Sequence, residues 1–176
     1  AALLTLVLKE LEKEGIGTEL VQLDPLHLRG CRACFRCFSD KNGRCAVTDD
    51  GLNGCIEKML AADGILLGSP TYFADITSDL KSLIDRAGMT ARANGDIFRR
   101  KVGAAVVAVR RAGAIHAFDS INHFFLISQM IVPGSCYWNL GIGREKGAVL
   151  ADDEGVRTLQ VLGQNMAWLL KRVALA

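Results

Sequence analysis

At 176 residues, half of them hydrophobic and 23% charged, the chain is long enough to bury one core and too apolar to be intrinsically disordered. Its net charge of +2 gives no reason to expect binding to nucleic acid or to a membrane surface. No apolar run approaches the roughly 20 residues that cross a bilayer, and the apolar start, Ala1–Leu8, lacks the flanks of a signal peptide. We therefore expect a single domain over residues 1–176, located in the cytoplasm.

Helical and extended patterns alternate along the whole chain. Leu4, Val7 and Leu11 recur at helical spacing, and Asp49 or Asp50 is the predicted N-cap of the second helix. The predicted elements, in chain order, are a helix over Ala1–Glu14, a strand over Thr18–Leu23, a long connection over Pro25–Val47, a helix over Leu52–Ala62, a strand over Gly64–Ser69, a helix over Ile76–Met89, a strand over Val102–Val109, a helix over Ala114–Met130, a strand over Ser135–Leu140 and a helix over Asp152–Arg172.

Strands that alternate with helices predict an α/β fold of three layers, in which helices cover both faces of a parallel sheet. Gly64–Ser69 and Val102–Val109 are apolar throughout, so we expect both strands to lie inside the sheet. Thr18–Leu23 and Ser135–Leu140 carry polar residues and are predicted edge strands. A doubly wound sheet in the order 2-1-3-4-5 has three interior strands, one more than the sequence contains.

The chain begins inside a helix, with no Met, no cap residue and no strand before it. We therefore expect that a first central strand and the loop after it precede Ala1. The alternative is a four-stranded sheet in which Thr18–Leu23 and Gly64–Ser69 pair directly.

Four cysteines lie in the long connection with the spacing C-x2-C-x2-C-x7-C: Cys31, Cys34, Cys37 and Cys45. In a reducing compartment, clustered cysteines favour metal binding over disulfides. The first three repeat the spacing with which bacterial ferredoxins bind an iron–sulfur cluster. A zinc site, which commonly uses two C-x2-C pairs and a longer spacer, and a motif that binds no metal are the alternatives. Residues 25–47 are thus predicted to be a cysteine-rich insert.

Three arginines, Arg32, Arg36 and Arg44, are interleaved with these cysteines. They would offset the negative charge of a thiolate-bound cluster, or they belong to a solvated face. Cys55 and Cys136 lie outside the run and are predicted to pack in the core as small hydrophobic residues.

Two loops follow the apolar strands, at the sheet edge where ligands of doubly wound folds bind. The first, Pro70–Thr77, offers the flat apolar side chains of Tyr72 and Phe73 beside local hydrogen-bonding groups, which suits a flat heteroaromatic ring. The second, Arg110–Gly113, contains small residues and leads into a helix N-terminus, which favours electron-rich atoms. The alternative is that Tyr72 and Phe73 merely cover the edge of the sheet.

The segment from Thr48–Asp50 through GILLGSPTYFADITSDLKSLIDRAG resembles the NAD(P)H-dependent FMN reductase and iron–sulfur flavoprotein branch of the flavodoxin-like superfamily. The most specific parts are the end of the Gly64–Ser69 strand with Tyr72 and Phe73, the helix around Asp85–Arg86, and the cysteine run. The resemblance implies a flavodoxin-like fold that binds FMN through three loops. The first of these, which holds the phosphate, would precede Ala1.

The resemblance also implies the functional residues. The cysteines Cys31, Cys34, Cys37 and Cys45 would bind a [4Fe-4S] cluster. The residues that border the FMN ring would be Pro70, Thr71, Tyr72, Phe73, Ala74, Asp75, Ile76 and Thr77 in the first loop and Arg110, Arg111, Ala112 and Gly113 in the second. In the family, the loop that corresponds to Arg110–Gly113 is often richer in glycine. This chain departs from that pattern at Arg111–Ala112.

The expected function is that of an FMN-dependent oxidoreductase that exchanges electrons among NAD(P)H or a ferredoxin-type partner, FMN and a [4Fe-4S] cluster. The resemblance implies a homodimer or homotetramer, in which the cluster of one subunit approaches the flavin of another. No side chain is expected to act as an acid or a base. Two alternatives remain: a plain NAD(P)H:FMN or quinone reductase without a cluster, and a non-enzymatic electron carrier.

Overall fold

The sheet contains three parallel strands within residues 1–173, the part of the chain that this computed structural model describes. β2 lies in the middle, pairs over Val102–Ala108 with β1, and pairs at its carboxyl end with the short β3. The strands are β1 (Gly64–Pro70), β2 (Val102–Val109) and β3 (Leu140–Ile142). The helices are α1 (Ala2–Lys13), α2 (Arg36–Asp40), α3 (Leu52–Ala61), α4 (Ser78–Ala93), α5 (Ala114–Ile127) and α6 (Asp153–Val173).

Helices cover both faces of the sheet, as the alternating pattern predicts. The side chains of β2 alternate between the faces: Val102, Ala104 and Val106 pack against α1 and α6, whereas Ala105 and Val107 pack against α3, α4 and α5. Each fully buried valine contributes about 1.5–3 kcal/mol, so this strand anchors both hydrophobic layers. No helix in the described part of the chain combines the length and the apolar character needed to cross a bilayer.

Most predicted elements are confirmed within a few residues. The strand Val102–Val109 has the predicted bounds. α4 begins at Ser78, two residues later than predicted, because the side chain of Thr77 accepts a hydrogen bond from the N–H of Leu80 at 3.4 Å and caps the helix. Asp152 accepts the N–H of Gly155 at 3.0 Å at the start of α6, as expected for an acidic residue at the positive end of a helix.

The strand predicted at Thr18–Leu23 is wrong: these residues form no ladder with the sheet. A cleft of about 750 Å³ separates residues 16–23 from β1, so the segment pairs with no strand of residues 1–173. For the same reason β1, predicted to be interior, has a strand on one side only in the described residues, and the four-stranded alternative is excluded there. The order 2-1-3-4-5 would place its first strand in this cleft; that strand stays a prediction.

The strand predicted at Ser135–Leu140 is also misplaced, because β3 begins only at Leu140. Before that, Ile131 bridges to Val102, the chain leaves the sheet, and it returns where the N–H of Val107 donates to the carbonyl of Asn139 at 3.0 Å. The hydroxyl of Ser135 lies 2.5 Å from the carbonyl of Tyr137 and 2.6 Å from the side-chain oxygen of Asn139, which stabilises a local turn instead of a ladder. Cys136 is consequently exposed, contrary to the prediction, whereas Cys55 is buried as predicted.

A buried ion pair links α4 to the connection before α3. The side chains of Arg86 and Asp50 are 1% and 0% exposed and pair through both guanidinium Nη atoms. Gly51, and not the predicted Asp49 or Asp50, is the N-cap of α3, although Asp50 Oδ1 accepts a hydrogen bond from the N–H of Leu52, the first residue of the helix, at 3.2 Å. Burial raises the pKa of Asp50, but hydrogen bonds from Arg86 and from the N–H groups of Arg29 and Leu52 outweigh it and hold that pKa below its usual range.

We expect Asp50→Asn to lower the free energy of unfolding by about 3–5 kcal/mol, because it leaves a buried guanidinium without its counter-charge. Asp85→Asn is the matched control, since Asp85 pairs with Lys81 on the exposed surface of α4 and its loss should cost less than about 1 kcal/mol. Urea denaturation at pH 7 measures both.

The pH dependence has a defined sign. Because the pKa of Asp50 is depressed in the folded chain, its contribution is complete above the unfolded pKa of about 3.9 and is lost as pH falls through the folded value. The wild-type chain should therefore lose stability below about pH 4 more steeply than Asp50→Asn does. Equal free energies of unfolding of the wild-type chain and Asp50→Asn at pH 7 would contradict a structural role for the Arg86–Asp50 pair.

Candidate functional site

The first site loop folds into a tight hairpin turn at the carboxyl end of β1. The N–H of Tyr72 donates to the carbonyl of Asp75 at 2.8 Å, and the N–H of Asp75 donates back at 3.1 Å. The two residues between them, Phe73 and Ala74, have φ values of 48° and 65°. Positive φ at both central positions is the geometry of a type I′ turn, which Asn and Gly usually supply. Side-chain residues in this conformation are strained, and such strain is concentrated at functional sites.

The second site loop lies directly against the first. Gly113 has a φ of 87°, and a Cβ placed on it would lie 3.0 Å from the Cα of Ala74 and 3.4 Å from the Cγ2 of Thr71. The N–H of Thr71 donates to the carbonyl of Ala108 at 2.8 Å, which ties the first loop to β2. Only glycine both adopts the left-handed conformation and permits this approach, so the two loops form one continuous surface.

The N-terminus of α5 opens onto this surface. Its N-cap is Gly113, and no side chain caps the helix. The first N–H groups of a helix have no partner within the helix and carry partial positive charge. Uncapped N–H groups beside an exposed aromatic pair, Tyr72 and Phe73, can therefore donate to the electron-rich edge of a flat ligand.

Asp75 fixes the far side of the turn. The N–H of Ile76 donates to its carboxylate at 2.7 Å, and the hydroxyl of Ser120 does so at 2.8 Å. Nε2 of His116 lies 3.5 Å from the other carboxylate oxygen. The Ile76 hydrogen bond above all, with Ser120 and His116, holds the pKa of Asp75 below its usual range, so the carboxylate is ionised at neutral pH.

Buried Thr71 Oγ1 has no hydrogen-bond partner in residues 1–173. An unpaired buried hydroxyl is costly, and ligand sites are where such groups occur. The structure thus places the loop of residues 70–77 against Gly113 at one edge of the sheet, and the role of these residues toward a ligand stays a prediction. Arg110, Arg111 and Ala112 follow β2 as predicted, but all three are exposed. The chemistry of the surface fits the ring of FMN: aromatic faces, N–H donors and a free hydroxyl.

The four cysteines of the run do not converge on one point in the described residues. Cys31 and Cys34 are exposed, and Cys37 and Cys45 are half-buried. Within residues 1–173, no three His, Cys, Asp or Glu side chains are close enough to hold one metal ion. Burial above all raises the pKa of the Cys37 thiol above its usual value. All four thiols are free of disulfides.

Cys45 is the best anchored of the four. Its N–H donates to the side-chain oxygen of Asn53 at 2.8 Å, and its carbonyl accepts from the amide nitrogen of the same side chain at 3.0 Å. Its sulfur accepts a hydrogen bond from Nε of Arg86 at 3.2 Å. The donor set fits an iron–sulfur cluster, since it consists of thiols with an N–H group aimed at one sulfur.

Arg86 is the functional-site residue that sequence reasoning missed. The sequence places it on a helix, in the segment that carries the family resemblance, but its partners are 36 to 57 residues distant along the chain. The sequence does contain one indication: Arg86 lies on the apolar face of α4, beside the buried Leu80, Leu83 and Ala87. A charged residue on the buried face of a helix usually has a partner.

Comparison with known proteins gives the same relationship over most of the chain. The profile of the family described as NADPH-dependent FMN reductase matches residues 1–145. An iron–sulfur flavoprotein of Methanocaldococcus jannaschii is 36% identical over 173 residues, which cover 94% of this chain and 87% of the relative. An iron–sulfur flavoprotein of Archaeoglobus fulgidus is 33% identical over 161 residues, and the match covers 90% of this chain and 77% of the relative.

Solved structures support the fold. RosB, crystallised with a bound riboflavin phosphate derivative, superposes with a TM-score of 0.79 at 19% identity, covering 99% of this chain and 73% of RosB. An archaeal flavodoxin superposes with a TM-score of 0.60 at 17% identity, covering 97% of this chain and 89% of the flavodoxin. The fold is therefore flavodoxin-like, and the chain belongs to the family of NADPH-dependent FMN reductases and iron–sulfur flavoproteins.

Proposed function

We propose that this protein passes electrons between NAD(P)H or a ferredoxin-type partner, FMN and a [4Fe-4S] cluster. Membership of the family makes it an FMN-dependent oxidoreductase. The observation that carries the finer proposal is the pairing of two sites on one chain: a strained aromatic turn against Gly113, and a run of four free thiols with an arginine N–H aimed at Cys45. Bound FMN exchanges one or two electrons and a cluster exchanges one, so the cofactors supply the chemistry.

The flavin ring would lie on the surface formed by the two loops. Residues 70–77 would contact it through Tyr72, Thr71 and the backbone of the turn, and residues 110–113 would contribute the N-terminus of α5. Because the carboxylate of Asp75 is engaged by Ile76 and Ser120, its role is to hold the turn. No ionisable side chain needs to move a proton in this arrangement.

Cys31, Cys34, Cys37 and Cys45 would bind the cluster. The thiols must lose their protons on binding, so cluster binding becomes more favourable at higher pH. Closing the site requires the exposed pair, Cys31 and Cys34, to approach Cys37 and Cys45. The carbonyl of Arg29 accepts a hydrogen bond from Arg86 at 3.0 Å, and Cys31 follows only two residues later. The segment that would have to move with Cys31 is therefore short.

The two sites are separated along α4. Thr77 at the flavin loop and Arg86 beside Cys45 are nine residues apart, which corresponds to about 13 Å of helix. α4 runs away from the flavin edge, so the cluster of one chain lies on the flank of the molecule. We therefore propose a homodimer or homotetramer in which this flank faces the flavin edge of another subunit. A cytoplasmic location stays a prediction.

A plain flavin or quinone reductase with idle cysteines is the second candidate. The observation in its favour is that no three of the candidate metal ligands converge within the described residues. A non-enzymatic carrier, the remaining alternative, would differ in its electron donor and not in its site.

The test is an anaerobic visible spectrum of the protein with FMN bound. Addition of NADPH or NADH should bleach the flavin absorbance, whereas bleaching by reduced ferredoxin alone would identify a carrier. In a sedimentation experiment at micromolar concentration, the same sample should consist of dimers or tetramers. A flavin that no nicotinamide reduces contradicts the enzyme, and a chain that remains monomeric contradicts the proposed assembly.

We expect Cys34→Ser to abolish iron binding while FMN binding is retained, because a cubane needs its thiolate ligands and the flavin loops lie elsewhere. Cys136→Ser is the matched control, since Cys136 is also exposed but lies outside the run. Iron and acid-labile sulfide per chain, measured after anaerobic purification, give the result. Unchanged iron in Cys34→Ser would remove this residue from the ligand set.

We expect Gly113→Ala to weaken FMN binding roughly tenfold, since its methyl group would push Ala74 and the turn out of place. Gly95→Ala is the matched control: Gly95 has nearly the same φ, 86°, but a Cβ there meets nothing within 4 Å. Both variants carry the same left-handed strain of about 1–2 kcal/mol. Flavin fluorescence quenching measures affinity, and equal affinities of the two variants would contradict the placement of the ring.

A further inference from the structure

Arg86 uses every donor of its guanidinium. An arginine has five N–H groups in a rigid planar fork. Nε donates to the sulfur of Cys45 at 3.2 Å, Nη1 to the carbonyl of Arg29 at 3.0 Å and to the carboxylate of Asp50, and Nη2 to the carbonyl of Val47 at 2.9 Å and to Asp50 at 3.2 Å. With its side chain 1% exposed, the group has no freedom to rotate away from the sulfur.

We propose that Arg86 is the positioning residue of the cysteine site: it holds Cys45 in ligating position and raises the reduction potential of the cluster through its N–H···S hydrogen bond. The inference rests on the proposed function, because it assigns this residue a role toward the cluster. Reduction adds one negative charge to the cluster and its sulfurs, and an N–H group aimed at a sulfur stabilises that charge. The reduced form therefore gains more than the oxidised form does.

Asp50 orients the guanidinium without cancelling this effect. Its carboxylate binds the two Nη atoms, which are on the opposite side of the group from Nε. Such two-point binding fixes the plane of the fork and so directs Nε at Cys45. The pair is buried, so water and salt screen the hydrogen bond to sulfur far less than they screen contacts at the surface.

The arginines within the cysteine run cannot do the same. Arg32 is exposed. Arg29, which lies just before the run, pairs with Asp49, Arg36 with Asp40 and Arg44 with Glu57. Their side chains are 63%, 67% and 50% exposed, so solvent screens their charge. The sequence suggests that the interleaved arginines offset the cluster charge; the structure instead directs the buried Arg86, from α4, at a ligand sulfur.

The experiment compares wild type, Arg86→Lys, Arg86→Gln and Arg92→Gln, all isolated anaerobically with FMN bound. Arg92 is the matched control, since it lies on the same helix and pairs with Asp96 at the surface. Iron and sulfide content are measured first. A reductive titration, followed by the EPR signal of the reduced cluster, then gives its midpoint potential.

In Arg86→Lys, which keeps a cation but loses the fork, we expect a retained cluster whose ratio of reduced to oxidised form is about tenfold lower at fixed solution potential. That shift corresponds to about 59 mV for a one-electron couple. Arg86→Gln should shift at least as far, and Arg92→Gln should equal wild type. Iron-loaded Arg86 variants with the wild-type potential would overturn the inference, because a merely structural role leaves the potential unchanged.

A second measurement needs no substitution and covers the case in which the Arg86 variants do not fold. Wild-type protein labelled with ¹⁵N-arginine should show a nitrogen coupling in the pulsed EPR spectrum of its reduced cluster. Absence of that coupling overturns the inference. A wild-type chain that binds FMN but carries no iron contradicts the proposed function as well, which separates the two failures.

Discussion

Arg86 lies almost wholly inside the protein and gives each of its N–H groups to a fixed partner. A guanidinium in that environment is tolerable only when its charge and its donors are all matched, and here the partners come from one stretch of chain, residues 29–50. The connection that carries the cysteines is therefore tied at both ends to α4. Cys31 and Cys34, which lie between these ends, are exposed.

The same helix organises the flavin edge. α4 begins at Ser78 under the cap of Thr77, whose N–H also donates to the buried hydroxyl of Ser69 at 3.0 Å. Nine residues after Thr77, the same helix places Arg86 against the cysteine segment. One helix thus connects the proposed flavin surface with the cysteine segment that is proposed to bind the cluster.

The sequence predicts well what depends on local pattern. The continuous apolar run Val102–Val109 gives the central strand with its bounds, and the loops at strand ends follow from the topology. It fails where an element depends on a distant partner: Thr18–Leu23 has strand character, yet the cleft separates it from β1 and it pairs with no strand in residues 1–173. Ser135–Asn139 forms a local turn instead. Cys45 is fixed by Asn53 and Arg86, a tertiary contact that no spacing rule contains. For the same reason, the contacts of Arg86 cannot be predicted from the sequence.

The central claim is that one chain holds both a flavin and an iron–sulfur cluster. Its most direct test is the content of FMN, iron, acid-labile sulfide and zinc in wild-type protein isolated without oxygen. The account predicts one FMN with about four iron and about four sulfide per chain, as a cubane cluster requires. A chain that carries FMN with zinc, or FMN with neither iron nor sulfide, would contradict it.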